Sequence, residues 1–234
     1  MKRIVRIVAW TMVWSGGMTL GLVGYQLFVT DLINESVQAE AREDLVDELE
    51  VRREELSAPI LVEEPPQSTV ATNPIEPVAY YPERIEEEGV PFAELRIPDI
   101  GLDAVLFEGV TPAALRNGPG HMPWTPLPGQ PGNAVISGHR TTYGAPFFDL
   151  DLLEPGDEIE VDTVIGSHTY TVRETVIVTP TDVWVTDPRP GAWLTLTTCH
   201  PKLSARERLI VFAELTAGPN LAYVDFLSTQ IAGA

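Results

Sequence analysis

The chain has 234 residues, a formal net charge of −19 and 44% hydrophobic side chains, enough for one medium domain with appendages. An acidic surface repels a phosphate backbone, and no basic patch is segregated along the chain, so nucleic acid is ruled out as a partner.

Residues 1–6 form a short tail carrying Lys2, Arg3 and Arg6, and residues 7–29 then run without a charged side chain. At about 1.5 Å rise per residue such a run crosses the ~30 Å hydrocarbon layer. It outlasts the apolar core of a cleavable leader and ends in no small-x-small site, so it reads as an uncleaved transmembrane helix. Positive charge before the span, with Asp31 and Glu35 after it, holds the N-terminus in the cytoplasm and puts the remainder outside.

Residues 30–89 read as an acidic stalk, and about half of the 34 acidic residues lie between Asp31 and Glu88. From Asp31 to Leu56, Glu, Ala, Leu and Arg without Pro or Gly predict a helix leaving the membrane; Leu45, Leu49 and Leu56 could form a thin seam for self-association, with too few heptads for a coiled coil. From Ser57 to Pro82 prolines recur without a period, which predicts an extended tether.

Residues 90–218 change texture to short alternating runs punctuated by Gly, Pro and Asp, the pattern of a mainly β barrel or sandwich with short helices. The strand candidates are Phe92–Ile97, Leu102–Phe107, Ala134–Ser137, Glu158–Thr163, His168–Val178, Trp193–Thr198 and Leu209–Leu215. Short helical turns are expected near Thr111–Leu115 and Pro146–Leu152. Residues 219–234, a C-terminal tail, show no clear pattern.

Cys199 is the sole cysteine, so it cannot form an internal disulfide, and in an exported domain an unpaired thiol points to chemistry. The bland alternative is a buried cysteine acting as a small apolar residue. A thiol nucleophile needs a partner that takes its proton. Of four histidines, His200 adjoins Cys199 and so faces the opposite side of a strand, His168 reads as a surface residue, and His121 lies in a Gly-Pro-Gly loop that can form part of a rim. His139 is the better candidate, because Ser137-Gly138 brings it to the end of an apolar strand. An antiparallel hairpin also brings Arg208 beside Cys199, where a guanidinium stabilises charge developing on a carbonyl oxygen. Arg206 is the rival, since alternation does not separate positions two apart. The scattered histidines offer no metal-ligand spacing, so neither metal nor cofactor is expected, and acidic loops such as Asp149–Glu154 read as solvated.

Thr195-Leu196-Thr197-Thr198-Cys199, Ile136-Ser137-Gly138-His139 and Arg208-Leu209-Ile210-Val211 together resemble the sortases, membrane-anchored cysteine transpeptidases of Gram-positive bacteria. The resemblance covers Phe92 to Leu215, including the opening Leu95-Arg96-Ile97-Pro98-Asp99-Ile100-Gly101. Asn117-Gly118-Pro119-Gly120-His121 and Gly138-His139-Arg140-Thr141-Thr142-Tyr143-Gly144 look most like class E, from actinobacteria. Met122 stands where that class usually carries tyrosine and Trp124 where it carries glycine, and a thioether cannot donate a hydrogen bond.

The resemblance implies a closed barrel of about eight strands, with Cys199, His139 and Arg208 meeting at one mouth as the catalytic groups. It implies Thr197, Thr198, Met122 and His121 as substrate-binding residues. The implied activity cleaves a C-terminal Leu-Pro-x-Thr-Gly or Leu-Ala-x-Thr-Gly signal between Thr and Gly through a thioester, and passes the protein to a cell-wall amine. The partners are then surface proteins bearing that signal and a cell-wall precursor. A hydrolytic cysteine peptidase using the same site, and a membrane-tethered binding module without activity, are the alternatives.

Overall fold

The computed structural model describes residues 2–25, 30–57, 85 and 87–232. The proline-rich tether expected over residues 57–82 thus lies almost wholly outside the described residues. Helix α1, Lys2–Gly24, is the one described helix long and apolar enough to cross a membrane, and none of its residues is buried in protein.

Eight strands close a barrel: β1 Pro91–Ile97, β2 Leu102–Glu108, β3 Gly120–His121, β4 Gly132–Ser137, β5 Glu158–Thr163, β6 Gly166–Val178, β7 Ala192–His200 and β8 Glu207–Ala217. Their order is β1-β2-β3-β4-β7-β8-β6-β5, with β5 pairing back onto β1. Alternation divides each strand between two faces. Leu95, Leu106, Ile136, Val161, Tyr170, Leu196 and Val211 fill the interior. On the outer faces of β7 and β8, Trp193 packs near Ile210 and Phe212 in a separate cluster.

Seven of the strands follow the alternation read from the sequence. The eighth, β3, is only Gly120–His121, which has no apolar run to announce it. β7 continues through Cys199 to His200, so the thiol sits on the strand rather than in a following loop. The C-terminal stretch, expected to be featureless, forms helix α3, Leu221–Ala232, whose Val224 packs into the core.

The stretch read as a free-standing helical stalk instead lies on the barrel. Helix α2, Thr30–Ser57, buries Ala41, Leu45 and Leu49 against Val105 and Phe107 on the outer face of β2. Leu45 and Leu49 are therefore used within the chain rather than as a self-association seam; the Leu56 side chain is outside the described residues. Arg42 adds ion pairs to Glu94 at 3.1 Å and Asp103 at 2.7 Å. The docking has a structural cause: β2 and β3 pair over two positions only, Phe107 with Gly120 and Glu108 with His121. At Val105 the Gln38 side chain substitutes for the absent strand. Its Oε1 accepts from Val105 N–H at 2.7 Å and its Nε2 donates to Val105 C=O at 3.3 Å. A buried strand edge left unpaired costs several hydrogen bonds, so an amide, which both donates and accepts, suits the position.

His168, read as a surface residue, is fully buried near Gly129 and Gly218, with Nε2 3.2 Å from Thr163 Oγ1. Burial pushes its pKa down from 6.5 to about 4, against an opposing pull from Asp162. As pH falls through this window the unfolded chain takes up a proton that the folded chain refuses. The His168 contribution to stability should therefore drop by about 3 kcal/mol between pH 6.5 and about 4 and level off below. Urea denaturation across that range should show a steeper slope in the parent chain than in His168→Gln.

Candidate active site

β4 and β7 run parallel with Val135 opposite Thr195 and Ser137 opposite Thr197. β7 and β8 run antiparallel with Thr197 opposite Ile210 and Cys199 opposite Arg208. All of these lie on the outer face, because Ile136, Leu196, Leu209 and Val211 between them point into the core. The groups expected at a barrel mouth are thus carried on the outside of the wall, at the ends of β4 and β7.

Cys199 is half-buried and is the one free thiol of the chain. Opposed residues of an antiparallel pair have Cα atoms about 4.5 to 5.5 Å apart, which puts Arg208 beside it. The Arg208 guanidinium is turned toward the β7–β8 connection, where Nη1 donates to Ala205 C=O and Glu207 C=O, each at 2.9 Å. Arg206, the rival position, is exposed and precedes β8.

Beyond Ser137 the two parallel backbones stay together: Gly138 N–H donates to Thr197 C=O at 3.1 Å, and Thr198 Oγ1 donates to Gly138 C=O at 2.8 Å. His139 thus follows one residue after the last of these bonds, as Cys199 follows Thr198 on β7. Position 138 must be glycine for this, because a Cβ there would strike the buried Phe147 ring. The His139 ring lies 5.1 Å from the Tyr143 ring, and the Arg116 guanidinium stands 5.8 Å over Tyr143. Burial first, and the Arg116 charge second, hold the His139 pKa below its ordinary 6.5, which keeps the imidazole neutral at pH 7.

The four residues expected to contact substrate fall into two groups. Thr197 is on the outer face two residues from Cys199, and Met122 is half-buried beside β4, its N–H donating to Val135 C=O at 2.9 Å. Thr198 and His121 are different. Thr198 faces inward with its hydroxyl committed to Gly138. His121 is buried, with Nδ1 2.7 Å from Glu108 Oε2 and Nε2 3.0 Å from Pro126 C=O. Both brace the wall from behind.

Sequence reasoning missed Arg140 and Asn133. The buried Arg140 guanidinium donates to Phe148 C=O at 3.1 Å, to Cys199 C=O at 3.4 Å and to His200 Nδ1 at 3.1 Å, and it pairs with Asp151 at 2.8 Å. It ties the loop after His139 to the end of β7, a span of acceptors that lysine's single ammonium cannot match. Asn133 accepts from Thr195 Oγ1 at 2.6 Å and donates to Val185 C=O at 3.0 Å and Asp187 C=O at 3.1 Å. These bonds fold the β6–β7 connection over the outer face, where Val185 packs with Ile210 and Phe212. A buried polar residue inside an apolar strand was the available signal for Asn133, and adjacency to His139 for Arg140.

A Sortase domain family model matches residues 95–216. Sortase SrtE1 of Streptomyces coelicolor is 34% identical over 145 residues, which cover 55% of this chain and 41% of that protein. The chain spans about half the length of the curated relatives it matches. Among solved structures, sortase E from Streptomyces avermitilis is 39% identical with a TM-score of 0.52, covering 56% of this chain and 91% of its own. A Clostridium perfringens Sortase D5 transpeptidase gives a TM-score of 0.60 at 26% identity, covering 78% of this chain and 99% of its own.

Proposed function

The chain belongs to the sortase family, and from that premise we propose that it is a membrane-anchored cysteine transpeptidase acting on proteins with a C-terminal Leu-Pro-x-Thr-Gly or Leu-Ala-x-Thr-Gly signal. The observation that carries the proposal is the register that sets Cys199 opposite Arg208, with His139 two residues beyond the last β4–β7 pair, Ser137 with Thr197. Cys199 Sγ attacks the threonine carbonyl carbon, and collapse of the tetrahedral intermediate breaks the Thr–Gly C–N bond and leaves a thioester. His139 passes a proton to the departing glycine nitrogen. It then takes one from an incoming cell-wall amine, whose attack restores an amide and frees the thiol. The proton that leaves sulfur as it attacks is the one His139 delivers to the glycine nitrogen, so the acylation step balances.

Arg208, once its guanidinium swings from the Ala205 and Glu207 carbonyls toward the bound peptide, stabilises the oxyanion and orients the peptide through its planar fork. Thr197 and Met122 face the bound signal, while Thr198 and His121 support the wall. The apolar α1 helix is the anchor, with Lys2, Arg3 and Arg6 on the cytoplasmic side and the barrel outside.

The test is to incubate the full chain in detergent micelles with a panel of Leu-x-x-Thr-Gly peptides and a small primary amine, and to follow products by mass. An acyl group on Cys199 together with amine-ligated peptide is the expected result. Hydrolysed peptide alone, with amine present in excess, would make the protein a peptidase. No adduct on any peptide overturns the reading.

A further inference from the structure

The loop that follows His139 holds an unusual backbone. Tyr143, Gly144 and Ala145 take φ values of 54°, 73° and 42°, a run of left-handed residues of which only the glycine adopts that conformation freely. Such a run persists only where surrounding groups hold it, and the first two turns of α2 supply them. Asp31 Oδ1 accepts from Gly144 N–H at 2.9 Å. Asn34 Nδ2 donates to Arg116 C=O at 2.8 Å and Asn117 C=O at 3.0 Å, and a Cβ at position 144 would strike its Oδ1. Asn34 is buried at this contact although α2 is otherwise largely exposed there. The two segments gripped in this way carry Tyr143 and Arg116, the aromatic ring beside His139 and the cation that acts on it.

We propose that Asp31 and Asn34 are positioning residues for the transpeptidation: the helix directly after the membrane span fixes the His139 loop, so the anchor region is part of the catalytic scaffold. The inference rests on the reading of His139 as acid and base given above. Neither residue touches substrate in this scheme. Their effect passes through Tyr143 and Arg116 to the orientation and solvation of one imidazole, and a small displacement of a reacting group is costly.

The experiment uses the full chain in detergent micelles, with Asp31→Ala, Asn34→Leu, the conservative Asp31→Asn, and Glu40→Ala on the exposed side of α2 as control. Two readouts are taken: kcat and KM for a sorting peptide, and the pH dependence of Cys199 alkylation, which needs no substrate and has a single target because no other cysteine exists. The groups that act on His139 are the Tyr143 ring, 5.1 Å away, and the Arg116 charge, both from connections; Asp31 of α2 reaches the loop at Gly144, and Cys199 of β7 and Arg208 of β8 are paired with each other.

Asp31→Ala and Asn34→Leu should lose about tenfold or more in kcat with little change in KM. In both, the His139 limb of the alkylation profile should move up toward the ordinary histidine value as burial and the Arg116 charge are relaxed. Asp31→Asn, which keeps an acceptor oxygen, should restore both, and Glu40→Ala should match the parent. Superimposable alkylation profiles with unchanged kcat overturn the inference, as does an Asp31→Asn variant as impaired as Asp31→Ala. A parent chain that shows the His139 limb in alkylation yet cleaves no sorting peptide sinks the transpeptidase reading instead, and the alkylation comparison still decides this one.

Discussion

Cys199→Ala is expected to abolish acyl-enzyme formation and to reduce peptide turnover by on the order of 10⁴-fold or more, because no other thiol exists to form the thioester. His139→Gln should fall to a similar level, and the double variant should be little worse than either single one, since nucleophile and acid/base act as a unit. Intact-mass detection of the peptide adduct, with turnover followed by fluorescence, checks all three. The fold should survive both changes, as Cys199 and His139 are half-buried and neither belongs to the core cluster. Retention of a peptide adduct by Cys199→Ala would remove the thiol from the chemistry altogether.

The second large effect concerns the guanidinium. Arg208→Ala should lower kcat by about 10² to 10³-fold, the usual cost of deleting a donor that stabilises a developing oxyanion. Arg208→Lys should recover little of it, because a point charge cannot reproduce two parallel N–H donors. Arg206→Ala, on an exposed residue ahead of β8, should stay within about twofold of the parent. Side-by-side steady-state kinetics decide between them, and a dead Arg206→Ala with an active Arg208→Ala reverses the assignment.

Much of this arrangement is visible in the sequence because strand alternation is a local signal. The strict period of Glu158–Asp162 and the apolar runs ending at Ser137 and Thr198 mark β5, β4 and β7 without tertiary information. The residues that fix the site were harder to read. Asp31 and Gly144 are 113 positions apart, and Asn34 reaches a carbonyl 82 positions away. Helix propensity finds α2 but says nothing about which face meets a partner, so three leucines resembled a seam between copies. His168 shows the same limit in reverse. Its strand is plain in the sequence, but only the packing of Gly129 and Gly218 around its ring reveals that it is enclosed. The two-residue β3 has no pattern of its own and exists because β2 and β4 lie to either side of it.

The Gln38 amide that completes the β2 ladder bears on where this protein can be cut. Residues matching the family begin at 95, and a shortened protein starting there would lack Gln38 and the first four residues of β1 alike. It would present bare peptide groups at Val105, together with the uncovered Val105 and Phe107 side chains, to any neighbouring molecule. An exposed apolar strand margin of this kind recruits other chains. The smallest soluble, monodisperse form is therefore expected to retain α2, and precipitation of shorter versions would reflect a missing lateral cover rather than an unstable barrel.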